Sequence, residues 1–181
     1  FYGDEEYMKQ FCLNAARKAV ISSDGNIFNH IKLSADNFSL AYLSSMIETL
    51  PVFAEKKLIE IHSLDIAGMK ESELEEFTAL LAELPQYDYN VVILYMLPDS
   101  FDFGTAKYPS KLLKTLSEYL TPVGFDYEIP SRLIKWIQQH FRTSGIVIKP
   151  DICTKLIKNV GQSMFRLKNE IDKLSAYILS H

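Results

Sequence analysis

Few residues in this chain stand where bond-making chemistry could be done. The richest candidate is the N-terminal run Phe1-Tyr2-Gly3-Asp4-Glu5-Glu6-Tyr7-Met8-Lys9, which reads as a strand stub, a glycine turn and the start of a helix. Such a junction binds a nucleotide when its turn is written G-x-x-x-x-G-K-[ST]. Backbone N–H groups then cradle the phosphates, the lysine neutralises them and the hydroxyl holds magnesium. Here the turn has a single glycine, is too short to wrap a phosphate, and sets three carboxylates at the helix N-terminus. At a few ångströms each would repel a triphosphate by roughly 1–4 kcal/mol at a surface-like dielectric. The turn cannot work as a phosphate loop, and Lys9 is most simply a solvated face residue.

Other chemistries fare no better. A nucleotide hydrolase also needs an acidic pair at a strand end to hold magnesium and orient water. The strand-like run ending Ile61-His62-Ser63-Leu64-Asp65 offers one carboxylate, which fits a turn-forming aspartate. There is no G-x-S-x-G, C-x-x-C or H-E-x-x-H, and the four histidines are scattered, so neither a nucleophile–base pair nor a metal site is expected. Cys12 and Cys153 fall in amphipathic helix patterns and read as buried thiols of a cytoplasmic protein without disulfides. The net charge of −4 argues against a dedicated DNA-binding module, because affinity for a polyanion comes mostly from Lys and Arg releasing counterions.

The elements that would position these residues alternate along the chain. Asp4 can cap a helix running to about Val20, with Glu5 and Glu6 at the favourable end of its dipole and Met8, Phe11, Cys12, Ala15, Ala16 and Ala19 as its apolar stripe. Ser22-Ser23-Asp24-Gly25-Asn26 is a turn, and Ile27 to Leu33 alternates as a strand. Asn37 begins a second helix with Leu40, Leu43, Met46, Ile47 and Leu50 on one face; Leu58 to Ile61 is strand-like, and Glu71 to Leu84 is helical. Asn90 to Leu97 is a continuous apolar run, the mark of a strand covered on both faces. Pro109 to Leu120 reads as helix and Val123 to Ile129 as a further strand.

After Ile129 the strand signals stop. Ser131 to Thr143, Pro150 to about Asn159 and Ser163 to Leu179 read as helices punctuated by Gly145, Pro150 and Gly161. The expectation is a three-layer α/β domain over residues 1–129, built on a parallel sheet with right-handed crossovers. A small three-helix lid over residues 130–181 follows it. With 181 residues, 48% of them hydrophobic, there is material for such a core. No apolar run reaches the roughly 20 residues of a membrane span. Neither end carries a start or a cap, so the chain reads as a piece of a longer protein.

A parallel α/β domain with a helical lid is the plan of the AAA+ ATPases, and particular segments narrow the likeness. Tyr2-Gly3-Asp4-Glu5-Glu6-Tyr7 resembles the opening Y-G-x-[DE]-x-[YF] of the delta subunit of bacterial DNA polymerase III, in which the phosphate loop is degenerate. Leu50-Pro51-Val52-Phe53-Ala54-Glu55-Lys56-Lys57-Leu58-Ile59 resembles that family's L-P-[FL]-F-[SA]-x-[KR]-[KR]-L-[VI], with Val at position 52 where Leu or Phe is common. Leu133-Ile134-Lys135-Trp136-Ile137 is similar to its lid opening. Asn159-Val160-Gly161-Gln162, with Leu167 and Asn169-Glu170-Ile171-Asp172-Lys173-Leu174, is similar to its closing helix. The four fall in order across the whole chain.

The resemblance implies a non-catalytic clamp-loader subunit of the polymerase (nucleotidyltransferase) complex, active in DNA replication. It implies that Leu50, Val52 and Phe53 form a hydrophobic hook for the beta sliding clamp. The tau/gamma and delta-prime subunits would be further partners. Lys155, Lys158 and Arg166 would lie near primer-template DNA, no cofactor is needed, and a C-terminal collar domain is absent from this chain. Residue type alone favours a Phe53 ring folded inward to plug the sheet end; the resemblance favours one held outward, where burial by a partner could contribute about 4–5 kcal/mol before entropy costs. Lys56 and Lys57 read equally as steering charges or as a solvated strand start. Two rivals stand beside this reading. One is an AAA+ or P-loop-like ATPase with a divergent loop. The other is a nucleic-acid reader using Lys107, Lys111 and Lys114, or Lys155, Lys158, Arg166 and Lys168, although such charged helix faces are usually only solvated.

Overall fold

The computed structural model describes residues 1–21, 28–98, 100, 102–105 and 107–180. The expected turn at 22–26 and Ile27 of the expected strand lie outside the described residues. Two compact units emerge, one of Phe1–Gly3 with Phe11–Gly124, the other of Asp4–Gln10 with Phe125–His181.

The first unit is a parallel sheet between helices. Strands β1 (His30–Ser34), β2 (Lys57–His62) and β3 (Asn90–Tyr95) lie in the order β1-β2-β3, with Ile31 opposite Ile59 and Ile59 opposite Val92. Residues 1–2 continue the sheet. The Phe1 amino group donates to the Leu94 carbonyl at 2.7 Å, Met96 N–H donates to the Phe1 carbonyl at 3.0 Å, and Tyr2 pairs in parallel with Gly124. A Cβ at Gly124 would come within 3.0 Å of the Tyr2 ring, so the close approach of these two segments depends on glycine there.

Because side chains alternate along a strand, the two faces of this sheet carry separate cores. On one, Leu58, Ile93 and Tyr95 pack with Leu13 of α1 (Glu6–Val20). On the other, Leu33, Ile59, Ile61 and Leu94 meet α2 (Leu40–Glu48), α3 (Glu71–Glu83) and α4 (Lys111–Ser117) through Leu43, Ile47, Phe77, Leu81 and Leu116. These are the three layers that alternating strands and helices predicted.

The second unit packs α5 (Pro130–Thr143), α6 (Pro150–Val160) and α7 (Met164–Leu179) around Leu133, Ile137, Phe141, Cys153, Met164, Leu167 and Ile171. Their spacing of three and four places one buried stripe on each helix. Tyr7 and Met8 join this core, with the Tyr7 ring edge-on to Trp136 at 5.5 Å.

Several expectations are corrected. Val123–Ile129 is not a strand: only Gly124 makes a bridge, and Val123 and Ile129 are exposed. Helix α2 starts at Leu40, capped by the Ser39 hydroxyl, while Asn37 instead accepts the Ser34 N–H to close the turn after β1. Leu50 lies beyond the end of α2 and is exposed, so it does not extend that helix's apolar face. Cys12 is half-buried rather than fully buried.

Candidate functional site

The N-terminal ends of all three strands send side chains to one segment, residues 46–52, which carries the end of α2 and the loop after it. Asn29, immediately before β1, is buried, and its amide meets the Val52 backbone twice. Oδ1 accepts the Val52 N–H and Nδ2 donates to the Val52 carbonyl, each at 2.7 Å. Lys57 opens β2, and its Nζ donates to the carbonyls of Met46 and Thr49. From the start of β3, Asn90 Nδ2 donates to the Ile47 carbonyl at 3.0 Å, and the Tyr89 hydroxyl donates to the Glu48 carbonyl at 3.0 Å. The last carbonyls of a helix have no partners within it, so these donors act as a C-terminal cap supplied by the sheet.

What this scaffold presents is apolar. Leu50, Val52 and Phe53 are all exposed, and the Phe53 ring stands fully in water. Phe28, beside Asn29, is exposed as well. Phe53 has φ 51°, a left-handed conformation that costs a residue with a Cβ about 1–2 kcal/mol. Pro51 restricts the backbone of Leu50 to extended conformations. A lone exposed apolar residue needs no explanation, but an aromatic one held out on a strained and anchored backbone is an outlier of the kind that collects at binding sites.

Lys57 corrects both sequence readings of that residue. It is buried, burial lowers its pKa, and its ammonium lies 5.2 Å from the centre of the Tyr89 ring. It is neither a steering charge nor solvated; Lys56, next to it, is exposed.

At the glycine turn, Gly3 takes φ 100° and Glu5 is buried. Glu5, not Asp4, supplies the side-chain acceptor at the start of α1. Its Oε1 accepts the Tyr7 N–H at 3.1 Å, and its Oε2 accepts the N–H of Met164, the first residue of α7, at 3.1 Å. Burial raises the Glu5 pKa, the two backbone donors oppose that rise, and Glu6 and Glu128 add to it. Lys9 departs from expectation: it is buried, with Nζ 3.0 Å from Glu6 Oε2. Asp65 makes the expected turn, its Oδ1 accepting the Gly68 N–H at 3.0 Å.

A polar cluster that sequence reasoning missed lies on the α1 face of the sheet. Glu60, in mid-β2, is fully buried and receives Arg17 Nε at 2.6 Å and Nη2 at 2.7 Å. His30 Nε2 and His62 Nε2 each lie 2.7 Å from its oxygens. Burial alone would raise its pKa; hydrogen bonds from Arg17, His62 and His30 outweigh that and hold it far below the usual carboxylate range. The signal was available, since a glutamate flanked by Ile59 and Ile61 in a doubly covered strand must find a cationic partner. Among the described residues no group of His, Cys, Asp and Glu is arranged to hold a metal ion.

The basic residues considered for nucleic-acid contact are not buried. Lys155 and Lys158 on α6 and Arg166 on α7 are exposed, as are Lys107, Lys111 and Lys114 around α4. Lys168 lies 2.5 Å from Asp172.

Known proteins share this architecture. The Bacillus subtilis DNA clamp loader delta protein superposes with a TM-score of 0.66 at 20% identity, over 98% of this chain and 52% of that one. A DNA polymerase III gamma subunit-related protein of Thermotoga maritima gives 0.55 at 14% identity, over 98% and 53%. AMPPCP-bound DnaA of Aquifex aeolicus gives 0.56 at 16%, over 96% and 53%. These likenesses are of fold, an AAA+-like α/β unit with a helical unit after it, and this chain spans about half the length of the proteins it matches. No curated protein matches the sequence significantly. The family model for the DNA polymerase III delta subunit matches residues 1–121, two thirds of the chain, and the chain therefore belongs to the DNA polymerase III delta subunit family.

Proposed function

We propose that this chain is the part of a clamp-loader delta subunit that binds the beta sliding clamp and favours its open form, with Leu50, Val52 and Phe53 as the docking hook. The observation that carries the reading is Phe53: a fully exposed aromatic ring on a left-handed backbone, at the end of a loop fixed by side chains from three strands. Entering an apolar pocket would take about 150–250 Å² of ring out of water, enough for an interface hot spot. The hook would act by differential affinity, gripping the clamp more tightly when its ring interface is open than when closed.

In this reading residues 1–129 carry the hook, residues 130–181 form the lid, and the chain performs no hydrolysis. The Tyr7 N–H at the start of α1, a donor that a phosphate would need, is engaged by the chain's own Glu5 carboxylate. Nucleotide turnover would fall to the tau/gamma subunits, with delta-prime completing the assembly. Exposed Lys155, Lys158 and Arg166 would give primer-template DNA a weak contact in the whole complex.

The test is a pull-down on an immobilised bacterial sliding clamp, wild type against Phe53→Ala, with calorimetry of the chain against ATP and magnesium. Retention of the wild type, loss of the variant and no heat with ATP are expected. Equal retention of both would remove the hook, and a micromolar ATP signal would restore the divergent-ATPase reading.

A further inference from the structure

The loop after α2 is anchored more firmly than its own fold requires. One anchor is at Thr49, whose carbonyl accepts from buried Lys57. The other is at Val52, whose N–H and carbonyl are both taken by the Asn29 amide, as in one rung of a β-ladder built from a side chain. Asn29 is itself fixed, since its carbonyl accepts the Leu58 N–H at 2.8 Å as β1 and β2 come together. Only Leu50 and Pro51 lie between the anchors, and proline supplies its own rigidity.

A helix cap alone would be complete at Thr49. The second anchor falls three residues later, immediately before the fully exposed, left-handed Phe53. Its effect is to hold a ring in water, an outcome that burial of the chain's own surface does not favour. An exposed tip without such a tether would sample many conformations, and a partner would bind only the competent fraction.

We infer that Asn29 and Lys57 are positioning residues that keep the Leu50–Phe53 tip pre-formed for an apolar pocket on its partner, Asn29 through the Val52 backbone and Lys57 through the end of α2. This rests on the docking reading of Phe53, and the two can fail separately.

A pre-formed tip leaves a kinetic signature. Truncating a contacting group speeds dissociation, whereas loosening a tip that contacts nothing less well lowers the competent fraction and slows association. With immobilised beta clamp, Asn29→Ala should lower the association rate about tenfold and leave the dissociation rate within about twofold. Lys57→Met keeps the buried stem, removes the donor and should act in the same direction. Phe53→Ala should instead raise the dissociation rate. In the wild-type chain the Val52 amide should exchange with solvent at least a hundredfold more slowly than an unprotected amide, a measurement that needs no variant to fold.

Wild-type association by both Asn29→Ala and Lys57→Met, or a freely exchanging Val52 amide, overturns the inference even if Phe53→Ala abolishes binding. Wild-type binding by Phe53→Ala overturns the docking reading, whatever Val52 does.

Discussion

The guanidinium of Arg17 grips the carboxylate of Glu60 with two parallel hydrogen bonds, 2.6 and 2.7 Å long, in the interior of the first unit. The geometry joins α1 to the central strand through a bidentate pair, stronger than a point-charge contact. Replacing Glu60 by Gln leaves the guanidinium without its counter-charge and should cost about 3 kcal/mol. The pH dependence has a definite sign. The folded carboxylate sits far below its ordinary value of 4.5, so its contribution is complete above that pH and is lost as the solution is acidified through and below it. Urea titrations from pH 7 to pH 3 should therefore show the gap between wild type and Glu60→Gln narrowing below about pH 4.5. A gap that widens in acid would contradict this account.

Glu5 has a different role in the second unit. Its two oxygens satisfy backbone N–H groups at the starts of α1 and α7, and Glu5→Ala would leave the buried Met164 donor and the partly buried Tyr7 donor empty. The expected loss is about 1–3 kcal/mol, with faster amide exchange at Tyr7 and Met164. Because burial already disfavours the charge, Glu5→Gln, which keeps one carbonyl acceptor, should be the milder change. Equal losses for the two variants would show that the charge, not the acceptor geometry, matters.

Phe53 should be dispensable for folding. Glycine adopts φ 51° without the penalty a side chain incurs there, although it gains freedom in the unfolded chain. Phe53→Gly should leave stability unchanged or raise it by up to about 1 kcal/mol, while removing clamp binding. A loss beyond about 1 kcal/mol in urea unfolding would mean that the ring packs against its own chain after all.

Much of this architecture could be read from the amino acids. Asn90–Tyr95 announces itself as an apolar run because both faces of the sheet are covered, and Leu58 to Ile61 reads as strand-like within Lys57–His62. The stripes of α5 and α7, bounded by Pro130, Gly145 and Gly161, survive with shifts of a residue or two. Several misreadings share a cause, in that the outcome depends on a partner in another element. Val123 to Ile129 has a strand's composition but pairs only at Gly124. Lys57 looks like a surface charge because the carbonyls that bury it belong to α2, and the role of Glu60 depends on Arg17, forty-three residues earlier. For Phe53, residue type favoured an inward ring and only the family resemblance an outward one. Its positive φ and its exposure are properties of the anchored loop, which the amino acids one by one do not announce.

The central claim is that the Phe53 ring leaves water for a pocket on the clamp. Incorporating 4-fluorophenylalanine at position 53 and titrating with unlabelled beta clamp tests it directly. The account predicts a fluorine resonance at a solvent-exposed position that shifts, broadens and loses its sensitivity to deuterated water as the complex forms. A resonance that stays sharp and solvent-sensitive while the clamp is demonstrably bound would place the interface elsewhere.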